Sequence, residues 1–317
     1  MYKNNSHNTE FNKFLNRKIY YNKESKKKLY NFMISNNHSK DKKMSIVEKI
    51  INTYLWKYKE LSIKMKNAYF SKISERIPNN NSHSIDYVLL NKIYVELCHS
   101  HNIPEKILNQ ERGNNRVKSI QKYIDLRFPV SCYLDIGCFD GHITKAIGNL
   151  FKLNNDQIHG TDIELPNSCT VSKSEFNFAI YDGIKLPYAD NYFDLITCLM
   201  VLHHIPEENL SSILVEISRV MKSGGVLILR EHDVKDNNQV ELLNVMHDFY
   251  DYVWTDNPIE KKEQWDTNYK DNIEWTNLLR TNKFIPRDVP KLYVGDKNPY
   301  ATYMCSYIKD SEKIQSL

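Results

Sequence analysis

The spacing of apolar residues along the chain changes near Asn115. Before that point, Ser45-Ile46-Val47-Glu48 forms a capping box, and the apolar side chains that follow recur at helical spacing. They predict a helix that continues to about Ile73. A second helix is predicted over Ile85–His99, ended by Asn102-Ile103-Pro104. The first third of the chain is therefore expected to be helical.

After Asn115, short runs of β-branched and aromatic residues alternate with helical stretches, which is typical of a parallel sheet built from β-α-β units. The predicted strands lie near Cys132–Ile136, Gln157–Thr161, Phe176–Ile180, Phe193–Cys198 and Val226–Arg230. The predicted helices are Gly141–Lys152, Glu207–Met221 (stopped by Gly224-Gly225), Gln239–Val253 and Ile273–Thr281. Two further extended runs, Phe284–Tyr293 and Ala301–Ile308, predict an antiparallel hairpin at the sheet edge.

The charge distribution changes at the same place. Residues 1–115 carry 21 Lys and Arg against 10 Asp and Glu, a net +11, whereas the remainder carries 22 against 29, a net −7. We therefore predict a basic helical region over residues 1–114, disordered over about the first 10 residues, and a second domain over 115–317. A basic region beside an acidic domain suggests contact with a polyanion such as RNA. The alternative is that these lysines lie on solvated helix faces and need no partner.

Several classes of protein are not indicated by the composition. The N-terminal residues lack the apolar core of a signal peptide, and no run approaches the length of a membrane-spanning helix. The six cysteines form no Cys-x-x-Cys pair and no zinc-binding spacing. We expect reduced thiols, no metal, no membrane association and a cytoplasmic location; the sequence does not indicate an oligomeric state.

The most informative motif is Asp135-Ile136-Gly137-x-x-x-Gly141, which follows an apolar strand and opens a helix. It places flexible backbone at the carboxyl end of the first strand, where open α/β sheets bind ligands. The middle glycine of the dinucleotide fingerprint is missing and an aspartate precedes the turn. These features favour S-adenosylmethionine (SAM), which needs a close backbone approach and a carboxylate near its amino group. Asp162, after the second strand, provides an acid for the ribose hydroxyls.

Four further segments occur in the same order as in class I SAM-dependent methyltransferases, which this chain resembles over about residues 115–310. They are Gly160-Thr161-Asp162, Tyr181-Asp182-Gly183 with Leu186-Pro187, Phe193–Ile196 leading to Leu202-His203-His204, and Arg219–Gly225. The resemblance implies a Rossmann-like, doubly wound α/β fold with a mostly parallel, seven-stranded sheet and an antiparallel edge hairpin. It also implies SAM as the cofactor.

By this resemblance the cofactor-binding residues divide by the part of SAM that they contact. The methionine end is assigned to Asp135 and Gly137, the ribose to Asp162, the adenine amino group to Asp182, and the methyl group to Cys198 and Leu199. Cys138, Gly141, Ile163 and Gly183 are also assigned to the cofactor site. Each also has a structural interpretation: Gly141 permits close packing, Asp162 caps a helix, and Asp182-Gly183 forms a turn.

The candidate catalytic residues follow the fourth and fifth strands. His203 and the run Glu231-His232-Asp233 are titratable groups at the active edge of the sheet, and a histidine beside carboxylates is a suitable general base near neutral pH. The alternative is that Arg230 pairs with Glu231 while Asp233 caps the following segment. His204, Tyr269 and Trp275 are assigned to the acceptor pocket, the last two by the resemblance; the alternative for these two is that they lie in the core.

The acceptor itself is not fixed by these motifs. Lys283 stands where the resembled family usually has glycine, and neither the Asn-Pro-Pro-Tyr signature of base-amino methylation nor the Lys-Asp-Lys-Glu tetrad of cap methyltransferases is present. The hypothesis that we favour is a methyltransferase acting on RNA recruited by the basic region. The alternatives are a small-molecule or protein acceptor, and a catalytically silent binding or stimulatory subunit.

Overall fold

The chain divides into two compact units, residues 1–103 with 237–267 and residues 104–236 with 268–317. The structure is a computed structural model that describes residues 63–69, 71, 93, 96, 117–118, 120–121, 123, 128–164, 175–237, 239–240, 243–244, 247, 267–287, 291–292 and 302–309. All strands given below belong to the second unit.

The described residues of the first unit are helical wherever they fall inside a predicted helix. Residues 63–69 and 71 lie in the helix predicted from Ser45, and residues 93 and 96 lie in the one predicted over Ile85–His99. Residues 239–240, 243–244 and 247 are helical within Gln239–Val253. The rest of these three predicted helices, and the first ten residues, lie outside the described residues.

The second unit is built on one mixed sheet whose seven strands in line have the order β3-β2-β1-β4-β5-β8-β6, with the short β7 also paired to β8. The first five strands in that order are mutually parallel, and β8 is antiparallel to β5. The strands are β1 Tyr133–Ile136, β2 Ile158–Asp162, β3 Asn177–Ile180, β4 Phe193–Leu199, β5 Met221–His232, β6 Phe284–Pro286, β7 Lys291–Leu292 and β8 Thr302–Lys309. The predicted fold class is confirmed.

The helices of this unit whose bounds lie within the described residues are α1 His142–Leu150, α2 Glu207–Val220 and α3 Asn272–Thr281; residues 117–118 and 120 are also helical. Short 3-10 turns cover Asn155–Gln157 and Leu202–His204. The amphipathic helix α2 buries Leu210, Ile213, Leu214, Ile217 and Val220 in a cluster that also contains sheet residues such as Leu227 and Leu229. A second cluster joins α1 to alternate sheet residues, including Tyr133, Leu195 and Ile228. Because side chains alternate along a strand, the sheet has apolar clusters on both faces.

The predicted boundary between α2 and β5 is wrong. The helix expected to reach Met221 and stop at Gly224-Gly225 ends at Val220, and Met221 already begins β5. Met221 adopts extended backbone, is fully buried and pairs with Phe193. The two glycines lie inside the strand, where the register shifts between Phe193 and Leu195. A Cβ on Gly225 would lie 2.7 Å from Met221 Cγ, so glycine accommodates this irregularity.

The predicted edge hairpin is confirmed, since β6 and β7 both pair antiparallel with β8. Pro286 ends β6, which suits an edge strand because proline has no N–H to donate to the ladder. Within the part of the chain that the structure describes, no helix has both the length and the apolar character needed to cross a bilayer.

Candidate active site

The cofactor loop follows β1 and is fixed from two sides. The N–H groups of Gly137 and Cys138 both donate to the carbonyl of Thr161 on β2, at 2.8 and 3.1 Å. Gly137 has φ +70°, and a Cβ placed on it would lie 2.3 Å from Cγ2 of Val201. Gly141 also has positive φ, +73°, and immediately precedes α1. Glycine at position 137 is therefore required both by the backbone conformation and by the chain after β4.

Asp135 is a buried carboxylate held by two threonine hydroxyls. Thr197 Oγ1 on β4 donates to Oδ1 at 2.6 Å, and Thr144 Oγ1 on α1 donates to Oδ2 at 2.7 Å. Burial raises the pKa of Asp135 to about 6, although both hydroxyls lower it. Each carboxylate oxygen retains a second lone pair for a further donor. Asp135 can thus bind a cation at the end of β1 once it is ionised.

Asp162, at the end of β2, fixes the conformation of the cofactor loop. Its Oδ2 accepts from the Phe139 N–H at 2.8 Å, and its Oδ1 accepts from the Ile163 N–H at 2.8 Å. Phe139 has φ +47°, a left-handed conformation that is uncommon for an aromatic residue, and its side chain is partly exposed. Met200, after β4, also has positive φ. Strained non-glycine residues of this kind are concentrated at functional sites.

Asp182 follows β3 in an exposed turn. Its Oδ1 accepts from the N–H groups of Ile184 and Lys185, at 2.9 and 2.6 Å, and these bonds lower its pKa. Gly183, with φ +86°, has only Ile163 Cγ2 near its Cβ position, at 3.8 Å. The turn thus places a carboxylate that is ionised at neutral pH beside the end of β2.

Arg219 on α2 connects this helix to the segment that follows the Asp182 turn. Its guanidinium forms two bonds to Glu216, one to Asp190, and donates to the carbonyls of Leu186 and Tyr188. Glu216 in turn accepts from the Leu186 N–H at 3.0 Å. One side chain therefore satisfies two carboxylates and two carbonyls, in an arrangement that matches the planar fork of arginine.

We expect Arg219→Lys to lower the free energy of unfolding by about 2 kcal/mol, because an ammonium cannot replace the several charge-assisted bonds of the guanidinium. Thermal unfolding followed by circular dichroism measures this change. Arg280→Lys, on the exposed side of α3, is the matched control and should leave the transition almost unchanged. Equal transitions for the two variants would contradict this role for Arg219.

Glu231 and His203 form a buried pair at the carboxyl ends of β5 and β4. Glu231 Oε2 lies 2.5 Å from His203 Nδ1, and Glu231 Oε1 accepts from the N–H groups of Val201 and Leu202, at 3.0 and 2.7 Å. Both side chains are at most 1% exposed. Glu231 therefore orients the imidazole and also holds the turn that packs against Gly137. The structure places Glu231 with His203 rather than in the alternative local pair with Arg230.

Among the described residues, the rings of His204, His232 and Tyr269 lie close to His203. The rings of His204, His232 and Tyr269 lie 4.1, 4.9 and 5.7 Å from that of His203, centroid to centroid. Burial, together with the nearby His203, Arg230 and His204, lowers the pKa of His232 well below its usual value. His232 is therefore neutral at physiological pH. The sequence-predicted residues His203, His204, His232 and Tyr269 thus come together in one cluster.

Asp233 and Trp275 occupy structural positions. Asp233 Oδ1 accepts from the N–H of Asn272, the first residue of α3, and forms an ion pair with Lys235. This is a structural role, but the N–H that Asp233 binds is at the start of α3, 39 positions on, rather than in the segment that directly follows Asp233. Trp275 is fully buried in the core cluster on the α2 side of the sheet, which matches core packing. Cys198 is fully buried at the end of β4, and the neighbouring Leu199 is half-buried.

Several residues that position these groups carried no signal in the sequence. Thr144, Thr197 and Val201 contact Asp135 or Gly137 only because α1 and β4 fold against β1. Asn268 donates from its backbone to the His203 carbonyl and from its side chain to the Ile205 carbonyl. The contacts made by Thr197 and Asn268 join residues about 60 positions apart, whereas the contact made by Thr144 is local in the sequence. Thr144 alone could have been found, since it lies on the first turn of the helix that the loop opens.

Carboxylates at the ends of β1, β2 and β3 suit the ammonium, ribose hydroxyls and adenine amino group of SAM in turn. The fold and these groups are similar to those of class I SAM-dependent methyltransferases. Residues 134–229 match the family model described as a methyltransferase domain, and this match runs from β1 to β5.

Relatives of known activity align with part of the chain. A 2-methyl-6-phytyl-1,4-hydroquinone methyltransferase of Synechocystis sp. is 25% identical over 38% of this chain and 37% of its own length. A demethylmenaquinone methyltransferase of Staphylococcus aureus is 23% identical over 45% of this chain and 59% of its own length. The chain thus spans well under two thirds of either relative. A SAM-dependent methyltransferase structure from Archaeoglobus fulgidus has a TM-score of 0.46 at 13% identity, covering 62% of this chain and 94% of that chain.

Proposed function

We propose that this protein is a SAM-dependent methyltransferase acting on a small molecule that carries an ionisable hydroxyl on an aromatic ring. The observation that supports this most strongly is the buried Glu231–His203 pair, because His203 lies on the same turn as Val201, the residue packed against Gly137, and Glu231 accepts from the Val201 N–H. A cofactor site and an acid–base pair are therefore connected through a few residues. Bound in this site, SAM supplies an electrophilic methyl group on its sulfonium.

The cofactor residues are assigned by their positions around the loop. Asp135, with Gly137, Cys138 and Gly141, would hold the methionine end, because Asp135 is a buried anion beside flexible backbone. Asp162 and Ile163 would hold the ribose, and Asp182 and Gly183 the adenine. Cys198 and Leu199 end β4 beside β1 and would lie near the methyl group.

His203 would act as the general base. In the tautomer whose Nδ1 donates to the Glu231 carboxylate, the lone pair of the ring lies on Nε2, and this atom would take the hydroxyl proton of the acceptor. The hydroxyl activated in this way would be the nucleophile for the methyl group that SAM supplies, with SAH as the leaving group, and holding the two in near-attack geometry would supply much of the rate. Neutral His232 and Tyr269 would pack against the acceptor ring without adding charge.

Two observations favour an aromatic acceptor. The cluster around His203 consists of rings, and rings stack on or contact one another edge to face. The two relatives named above carry a hydroquinone and a menaquinone precursor in their names. An alkyl-substituted 1,4-hydroquinone is therefore the first probe to test.

The proposal is tested in two steps. Calorimetry with S-adenosylhomocysteine (SAH) measures cofactor-site binding, and tritium transfer from methyl-labelled SAM to the hydroquinone measures activity. Binding with transfer is the expected result. Binding without transfer to this probe or to a small-molecule extract would overturn the acceptor class. Absence of SAH binding would instead favour the silent binding subunit.

We expect His203→Asn to lower the rate of tritium transfer by about 100- to 10,000-fold, because the asparagine amide can still donate to Glu231 but cannot take a proton. SAH affinity should stay within about threefold, since no cofactor residue changes. His159→Asn is the control, because His159 is a buried histidine that packs against Tyr188, Tyr192 and Phe193 on another part of the sheet. A rate equal to that of the control would exclude His203 as the base.

An RNA acceptor is the second candidate, favoured by the net +11 of residues 1–115. If the basic region recruits RNA, tritium transfer to total RNA should fall by about 1,000-fold or more between 50 and 200 mM salt, because several phosphate contacts are screened. Transfer to the hydroquinone should change little over the same range. Labelling of RNA with this salt dependence would reverse the preference for a small molecule.

A further inference from the structure

The Asp135 carboxylate is the end of a chain of hydrogen bonds that crosses two strands. Tyr133 Oη lies 2.7 Å from Thr197 Oγ1, and Thr197 Oγ1 lies 2.6 Å from Asp135 Oδ1. An ionised carboxylate only accepts, so Thr197 must donate to Asp135 and Tyr133 must donate to Thr197. Burial raises the pKa of Tyr133 well above its usual value, so its hydroxyl keeps the proton that this order requires. Thr144, from α1, donates to the other oxygen.

All four side chains of this chain are buried. Tyr133, Thr144 and Thr197 are 0% exposed and Asp135 is 3% exposed. Water therefore cannot replace a hydroxyl that is lost, and each bond acts in surroundings of low polarity, where it is strong. Thr197 pairs in register with Asp135 across β1 and β4, so its hydroxyl is fixed by the sheet itself.

We propose that Thr197 and Thr144 are positioning residues for the cofactor, because their hydroxyls fix the Asp135 carboxylate and keep it ionised to meet the ammonium of SAM. This inference rests on the proposed function of the site. Neither threonine has to touch the cofactor; each acts through Asp135. The two bonds also set the rotamer of Asp135, because they approach its two oxygens from opposite elements, β4 and α1.

The groups that face Asp135 show why these hydroxyls matter. Asp140 and Asp162 are negative and oppose its ionisation, as does burial, while the neutral Cys198 and Tyr133 supply no positive charge. Of the groups that act on Asp135, the hydroxyls of Thr197 and Thr144 are the ones that lower its pKa, which lies at about 6. Since only the ionised form attracts an ammonium, SAH affinity should fall as the pH falls through about 6.

The experiment is calorimetric titration of the full chain with SAH from pH 5 to pH 8. In Thr197→Val the shape is kept but one donor is lost, so the pKa of Asp135 rises. The midpoint of the affinity profile should move to higher pH by about one to two units. At pH 7 affinity should fall by about two- to tenfold, and it should recover as the pH is raised.

Three variants separate this effect from a loss of packing. Thr197→Ser keeps the hydroxyl and should restore the original midpoint, while Thr144→Val should shift it in the same direction as Thr197→Val. Thr276→Val is the control, because Thr276 lies on α3, where its hydroxyl donates to the Asn272 carbonyl. Its midpoint should equal that of the unchanged protein. Any ionisation of SAH itself affects every variant alike, so it does not contribute to a difference between their midpoints.

The outcomes distinguish this inference from the proposed function. A Thr197→Val profile that superimposes on that of the unchanged protein, or that is weakened equally at every pH, overturns the positioning role. Absence of SAH binding by the unchanged protein at every pH overturns the cofactor assignment instead. If Thr197→Val does not fold, Thr197→Ser and Thr144→Val still measure the midpoint.

Discussion

Gly137→Ala should weaken SAH binding by at least about 100-fold, equivalent to about 2.7 kcal/mol. The backbone at Gly137 has φ +70°, where a residue with a Cβ is strained by roughly 1 kcal/mol or more. The larger cause is steric, since the new Cβ would lie 2.3 Å from Val201 Cγ2, and 3.2 and 3.4 Å from Cγ1 and Cβ. Either the cofactor loop or the turn after β4 must move. Calorimetry with SAH measures the loss.

A second glycine of the chain provides a matched control that separates backbone strain from the steric clash. Gly224 has φ +75°, almost the same conformation, but no atom of the described residues lies within 4 Å of a Cβ placed there. Gly224→Ala therefore carries the strain without the clash and should leave SAH binding within about twofold. Adding Val201→Ala to Gly137→Ala should recover part of the affinity, because it removes the two γ-carbons in the way. The steric explanation fails if the second substitution recovers nothing.

The sequence was sufficient to predict the sheet because its signals are local. Runs such as Phe193–Cys198 are apolar and β-branched, and each is bounded by turn residues. The predicted strand starts and ends lie within one residue of those observed for β1 to β4. The error at Met221 has a tertiary cause, because its burial and its pairing with Phe193 begin the strand before the glycines.

The candidate site was predictable only in part, because some of its contacts depend on strand pairing and not on local sequence. The motif around Asp135 and Gly137 lies within one strand–turn–helix, so its spacing is visible in the sequence. The partners of Asp135 are not, since Thr197 is 62 positions away and contacts it through the β1–β4 pairing. Likewise, Glu231 and His203 were each identified as candidates, but their hydrogen bond spans 28 positions and depends on β5 lying beside β4.

A common feature of the candidate site is that its loops are held by carboxylates, of which Asp135 and Glu231 are buried and Asp162 is partly buried. Asp135 ties β1 to α1 and β4, Asp162 ties β2 to the cofactor loop, and Glu231 ties β5 to the turn after β4. Each connects the end of one strand to the neighbouring segment. Because an unpaired buried donor costs roughly 1–3 kcal/mol, each carboxylate also stabilises the loops that would meet the cofactor and acceptor.

Glu231→Gln should lower the rate of tritium transfer by about 100- to 10,000-fold while the protein stays folded. The amide oxygen can still accept from the Val201 and Leu202 N–H groups, so the turn is kept. The amide NH2 then faces His203 Nδ1 and donates to it. This forces the proton of the imidazole onto Nε2, where it can no longer take a proton from the acceptor. SAH affinity should stay within about threefold.

The tautomer is directly measurable, because the nitrogen chemical shifts of His203 in the NMR spectrum of labelled protein distinguish a protonated Nδ1 from a protonated Nε2. Glu216→Gln is the control: Glu216 is also a hydrogen-bonded carboxylate, but it accepts from Arg219 and Leu186. Glu231→Ala, by contrast, removes the acceptor of two buried N–H groups and should lower the free energy of unfolding by about 3–5 kcal/mol. If Glu231→Gln loses SAH binding and transfer to the same extent, Glu231 supports only the fold. If instead the tautomer switches and transfer alone is lost, the carboxylate acts on the acceptor through His203.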